Sequence, residues 1–160
     1  MKRITRKAGA IVYWLGWPFF LVYFLFGQRT RVLLVRGDEV LVVSGLLSDG
    51  RWSMPGGGLH RGENPLTGML RELQEEVGAT IPEEQVKTLY TRAYASHGHR
   101  YVYTQFLAEV EGDLPLKLQK YEIAEAAWVH YSKLNRTNAR SDVLLAIQAW
   151  RTGHVPEHQG

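Results

Sequence analysis

The densest set of reactive side chains lies between Gly56 and Ala79, in the run GGGLHRGENPLTGMLRELQEEVGA. Three glycines precede a segment that carries Glu72, Glu75 and Glu76. At about 100° per residue these carboxylates share one helical face, while Leu66, Leu70, Leu73 and Val77 form an apolar stripe on another. Like charges at such spacings repel by about a few tenths of a kcal/mol in an isolated helix, so stability gives no reason to gather them. A solvated charged face is the plain reading of an ExxEE run; a divalent cation is the reading that gives the cluster a purpose. The chain contains no cysteine, so a metal would take oxygen or imidazole ligands, and hard carboxylate oxygens select Mg²⁺ or Mn²⁺. The glycines let backbone approach a ligand closely, and a carbonyl from their loop can complete a coordination shell. Arg71 stands one residue from Glu72 and four from Glu75, where a bidentate contact would orient a carboxylate and keep it ionised.

The elements that must position these groups are legible on either side. Asn64 suits an N-cap, Pro65 a first helical position and Gly78 the residue past the end, which predicts a helix from Pro65 to Val77. Upstream, VLLV and VLVV around the RGDE tetrapeptide read as two strands joined by a Gly-Asp turn, beginning near Arg31. Ser44 to Gly50 reads as a loop, Arg51 to Met54 as a short strand and Pro55 to Gly62 as a glycine-rich loop. Downstream, Val86 to Tyr94, Tyr101 to Val110 and Ala126 to His130 read as strands, and Asp142 to Trp150 has helical spacing. The sum is a mixed α/β domain. Tyr94, His97, His99 and Tyr101 surround a hairpin tip, which is by default a polar loop without a ligand.

A chain of 160 residues holds one ordinary domain and an appendage. Its net charge is +3, but Lys2, Arg3, Arg6 and Lys7 lie in residues 1–27, which hold no acid, so the rest carries −1. The high isoelectric point is thus an N-terminal property, which weakens a nucleic-acid reading, and no specific nucleic-acid partner is expected. Ala8 to Gly27 are twenty uncharged, mostly apolar residues, long enough as a helix to span a bilayer's hydrocarbon core. The run lacks the small-residue exit of a cleaved signal peptide. Gly16 and Pro18 interrupt it, so a re-entrant or interfacial segment is an alternative to a spanning one, and a buried core helix is a third reading. We expect residues 1–27 to be a membrane segment with a basic flank and residues 28–160 to be the catalytic domain. The positive-inside comparison leans by a thin margin toward an internal N-terminus, which would place the domain of a spanning segment outside, while a need for Mg²⁺ favours the cytoplasmic side, the side we expect.

The Gly57 to Ala79 stretch resembles the box of the Nudix hydrolases, Gx5Ex7REUxEExGU with U aliphatic. Gly57 begins it, Glu63 follows, then Arg71-Glu72-Leu73, Glu75-Glu76 and Gly78; Ala79 is smaller than the usual last residue. Trp52 and Pro55 in RWSMPGGG and the later EIAEAAWV are also similar to the family, so the resemblance extends over Arg29 to Trp150. It implies an α/β/α sandwich with a mixed sheet and Mg²⁺- or Mn²⁺-dependent hydrolysis of a nucleoside diphosphate linked to another group. It further implies that Glu72, Glu75, Glu76 and the Gly57 carbonyl are metal ligands, that Arg71 positions Glu72 and that Glu63 supports the loop. The general base varies in the family; Glu76 and Glu122 are the two candidates here. The competing functions are a ligand-binding sensor on the same fold, which would be expected to lack one of the carboxylates, and a membrane-associated adaptor, which would show no nucleotide-dependent stabilisation.

Overall fold

The computed structural model describes residues 27–46, 48–96, 99–118 and 123–155. Residues 8–26 of the apolar run, His97 and Glu122 lie outside the described residues. Among the described residues no helix is long and apolar enough to cross a membrane.

The two valine- and leucine-rich segments form β1 (Arg29–Arg36) and β2 (Glu39–Gly45), and Gly37 takes a φ of 57° in the turn between them. Helix α1 (Pro65–Val77) follows, then a 3₁₀ turn at Glu83–Gln85 and strands β3 (Val86–Ser96), β4 (His99–Glu109) and β5 (Ile123–His130). Helix α2 (Ser141–Thr152) is the last regular element described. The strands make one sheet in the order β3-β4-β1-β2-β5. Among the described strands only β1 and β4 pair in parallel, with Val32 opposite Phe106, and the other three strand pairs are antiparallel. The sheet is therefore mixed.

Central position explains the composition of β1. Val32, Leu33, Leu34 and Val35 are all buried, because the strand is covered on both faces. Alternation sends Val32 and Leu34 toward α1, with Leu41, Val43, Phe106 and Ala108. Leu33 and Val35 face the other way, into a core with Val40, Val42, Leu107 and the α2 residues Val143, Ala146 and Ile147. Full burial of one such side chain stabilises by about 1.5–3 kcal/mol, which fixes β1 as the keel of an α/β/α sandwich. The expected fold class is present in the described residues.

Several local expectations differ. Arg51 to Met54 forms no strand of its own; Trp52 and Ser53 make single bridges to Ala139 and Val43. The β3–β4 hairpin runs past its expected ends because cross-strand pairing continues from Tyr94 with Tyr101 to Ser96 with His99. β5 begins at Ile123, three residues before the expected start, where it pairs with Gly45. In α1 the fully buried residues are Gly68, Met69, Leu73 and Val77, with Leu66 and Leu70 only partly covered. Gly68 is the cause: a Cβ there would lie 2.2 Å from the Leu59 Cδ2 methyl and 3.1 Å from the Glu63 Cδ. The preceding loop therefore packs against that side of the helix and widens its buried arc.

Candidate active site

The helix ends are held as their residue types require. The Asn64 Oδ1 accepts the Leu66 amide at 2.9 Å, and Gly78, at a φ of 67°, donates its amide to the Gln74 carbonyl at 3.1 Å. Residues 110–118 return across the C-terminal end, where the Lys117 amide donates to the Val77 carbonyl at 2.7 Å. The glycine loop is laid along β1 by three backbone bonds. Val32 donates to the Pro55 carbonyl (3.0 Å), Thr30 to the Gly57 carbonyl (2.9 Å) and Leu59 to the Gln28 carbonyl (2.9 Å). Two glycines make this approach possible. Gly56 has a φ of 131°, and a Cβ on it would fall 2.3 Å from the Thr30 carbonyl oxygen. A Cβ on Gly57 would fall 2.5 Å from the Glu72 Oε2. Loop and helix thus meet at a carboxylate.

Arg71 is the hub of the charged cluster. Its Nε and Nη2 donate to the two Glu63 oxygens at 2.9 and 3.1 Å, while Nη1 donates to Glu72 Oε1 at 2.9 Å and Glu75 Oε2 at 3.0 Å. Nη2 also reaches the Gly58 carbonyl at 3.2 Å. The bidentate contact expected of this arginine goes to Glu63, and Glu72 and Glu75 share the remaining nitrogen. Glu63 also accepts the His60 amide at 2.7 Å. The Arg71 guanidinium holds the Glu63 carboxyl down at about 2, against the opposing effect of burial and with help from that amide. The same bonds push the Arg71 pKa up, its hydrogen bonds to Glu63 being the largest cause. Glu63 is a structural carboxylate that locks loop to helix.

The other carboxylates are arranged differently. The Glu72 side chain is 15% exposed and Glu75 53%. Glu76 Oε2 accepts the Gly56 amide at 2.9 Å, a contact that places it beside the loop instead of in solvent. Among the described residues no three acidic or histidine side chains converge closely enough to form a metal cage. The physical reason is visible in the bonds above: Arg71 draws Glu72 and Glu75, and Gly56 holds Glu76. The donor chemistry nevertheless fits a hard cation, since three carboxylates and several loop carbonyls lie within one stretch of helix and loop, and the side of Gly57 is open only to a carboxylate oxygen. The Gly57 carbonyl already serves the Thr30 amide, and a carbonyl oxygen has a second lone pair.

The structure therefore brings together Gly57, Glu63, Arg71, Glu72, Glu75 and Glu76 at one loop–helix junction. Glu122 lies outside the described residues. The sequence reading placed Gly56 in the close-approach loop without foreseeing that its amide holds Glu76, and it missed Arg31. The Arg31 Nη1 donates to the Ser53 hydroxyl and, at 2.6 Å, to the Met54 carbonyl, just ahead of the glycines. Its signal was available: Arg31 is in phase with Leu33 and Val35, so a charge occupies an inward position of β1.

Comparison with known proteins agrees with this geometry. A model of the NUDIX domain family matches residues 19–147, well over half of the chain. Nudix hydrolase 25 of Arabidopsis thaliana is 42% identical over 53 residues, 32% of this chain and 30% of that protein. An RNA pyrophosphohydrolase of Dinoroseobacter shibae is 28% identical over 95 residues, 49% of this chain and 59% of that protein. The chain thus spans less than two thirds of either relative. Among solved structures, a C. elegans Ap4A hydrolase binary complex superposes with a TM-score of 0.62 at 19% identity, covering 80% of this chain and 99% of that one. At that identity the likeness concerns the fold.

Proposed function

The chain belongs to the Nudix family, and from that premise we propose that it is a divalent-metal-dependent pyrophosphohydrolase acting on a nucleoside diphosphate linked to another group. The observation that carries this reading is the convergence of the glycine loop on the carboxylates of α1, with Gly57 against Glu72 and the Gly56 amide on Glu76. Glu72, Glu75, Glu76 and the Gly57 carbonyl would hold Mg²⁺ or Mn²⁺. Such an ion, when bound, neutralises pyrophosphate charge and acidifies a bound water. The chain's own part is to hold the ligands in register. Arg71 ties Glu72 to Glu63, and the Gly56 amide orients Glu76. Glu76 and Glu122 remain the two candidates for the general base. The name of one sequence relative, an RNA pyrophosphohydrolase, supports the reaction class. No box carboxylate is missing, which separates this chain from the sensor expected on a silent Nudix fold. Turnover of the full chain with Mg²⁺ and Mn²⁺ against a panel of nucleotide sugars, dinucleoside polyphosphates, nucleoside triphosphates and an RNA with a terminal pyrophosphate tests the reading. Hydrolysis of none of them contradicts it.

We further propose that residues 8–27 hold the enzyme at a membrane with the catalytic domain on the cytoplasmic side. The support is the twenty-residue uncharged run between a basic flank and the first strand. Fractionation of cells expressing the full chain, followed by protease treatment of spheroplasts, tests both parts. A full chain that stays in the soluble fraction at low and high salt contradicts the anchor, and cleavage of the domain in intact spheroplasts contradicts the side.

A further inference from the structure

We propose that Arg31 is a positioning residue that sets the glycine loop in register with the carboxylates of α1 and ties that register to the first turn of α2. The proposal rests on the hydrolase reading for its kinetic consequence and on geometry alone for its structural one.

Arg31 sits in β1 between two backbone bonds to the loop, Thr30 to Gly57 and Val32 to Pro55. Its side chain leaves the opposite face from α1, in the row of Leu33 and Val35, and grips the same loop again. Nη1 reaches Ser53 and the Met54 carbonyl, and Nε lies 3.5 Å from Asp142 Oδ2. Arg31 is 16% exposed and Asp142 23%, so the contact is largely shielded from solvent. Asp142 is itself fixed, because its Oδ1 accepts the Val143 amide at 3.0 Å and lies 3.9 Å from Arg140 Nε. Two residues beyond Met54 stands Gly56, whose amide holds Glu76.

These contacts form one line through the sheet, from Asp142 by way of Arg31 and Met54 to Gly56 and Glu76. Backbone pairing alone fixes the distance of the loop from β1. The guanidinium adds a second grip on the far face, which opposes rotation of the loop about its own axis. A rotation there would turn the Gly56 amide away from Glu76. The task needs a fork: one nitrogen serves two loop acceptors while another faces a carboxylate, and a lysine ammonium on its single stem cannot span all three.

The test uses the full chain and the variants Arg31→Gln, Arg31→Lys and Asp142→Asn, read by amide hydrogen exchange and by steady-state kinetics. Arg31→Gln should speed exchange of the Gly56 amide by about tenfold while amides in β4 keep their protection. It should lower kcat by about tenfold with KM little changed, because misplacement of a ligand affects the reacting state more than ground-state binding. Arg31→Lys should fall between the wild type and Arg31→Gln, and Asp142→Asn should move both readouts in the same direction by about threefold. Combined with Glu76→Gln, Arg31→Gln should cost little further activity, since its effect passes through Glu76. Unchanged Gly56 exchange, uniform loss of protection throughout the sheet, or a full additional loss of kcat in the double variant overturns the proposal. If Arg31→Gln does not fold, the exchange readout in Asp142→Asn decides it. If the wild type hydrolyses no phosphoanhydride, the hydrolase reading fails, and Gly56 exchange still decides the role of Arg31.

Discussion

Helices α1 and α2 cover opposite faces of one sheet and place their charges in opposite ways. α2 carries Asp142 in its first turn and Arg151 in its last, each of which favours the local end of the helix dipole. α1 has no acid in its first turn and no base in its last, and it places Glu75 and Glu76 at the end where partial negative charge accumulates. The caps are distributed the other way. α1 has a side-chain N-cap and a proline at its start, while the Arg140 N-cap of α2 makes no side-chain capping bond; both helices end on a left-handed glycine, Gly78 and Gly153. α1 is thus stabilised by its ends, by Arg71 and by core packing, which lets its exposed face carry charges that cost stability. α2 uses its charges to hold itself in place.

The comparison breaks most visibly in catalysis. Glu76→Gln should lower kcat by at least about 100-fold, or roughly 3 kcal/mol of barrier, with the fold intact. Arg151→Gln on α2 should leave kcat unchanged. Wild-type turnover in Glu76→Gln removes that residue from the site.

Stability separates the helices next. Arg71→Ala should destabilise the domain by about 3 kcal/mol in urea unfolding, because Glu63 and Glu72, 12% and 15% exposed, lose the partner that compensates their burial. Arg151→Ala, which loses an exposed contact 3.9 Å from Asp38 and its packing over Tyr131, should cost less than about 1 kcal/mol. Equal losses would mean that Arg71 is no more than a surface residue.

Acid sensitivity sharpens the same point. Glu63 is held at about 2 when folded, below its ordinary 4.5, so its ionised form stabilises the fold above the higher value. That contribution should fade as pH falls from 4.5 through about 2. The urea midpoint of the wild type should drop across this window more steeply than that of Glu63→Gln, and the gap between them should narrow with acid. Parallel curves would show that the Arg71 contact does not shift Glu63.

The smallest effect has opposite signs on the two helices. Glu75→Gln should raise stability by about 0.3 kcal/mol, since Arg71 keeps Glu63 and Glu72 and one charge is removed from the wrong end of the dipole. Arg151→Gln should lower it by a similar amount, about 0.3 kcal/mol. Loss of stability in Glu75→Gln would show that its contact with Arg71 outweighs the dipole.

Much of α1 was legible because its determinants are local. Asn64, Pro65 and Gly78 mark the ends within the helix's own sequence, and the spacing of Glu72, Glu75 and Glu76 fixes their common face. Met69 and Gly68 were missed as buried positions because the cover on Gly68 is Leu59, a loop residue whose path no periodicity encodes. The destination of Arg71's fork was also nonlocal: Glu63 lies eight residues away and reaches it only after the loop has folded back. Strand order and the parallel β1–β4 pairing depend on contacts more than seventy residues apart, beyond any local pattern. Arg31 advertised itself only as a charge in an apolar register, with nothing to show that Ser53, Met54 and Asp142 would meet it.

The central claim is that the costly charges of α1 serve a divalent cation and a phosphoanhydride substrate. The most direct measurement is turnover of the best substrate by the EDTA-treated full chain before and after addition of Mg²⁺, alongside Glu76→Gln. The account predicts no turnover without metal, recovery in the wild type and recovery of no more than about one hundredth of it in Glu76→Gln. Full activity in a metal-free preparation would contradict it.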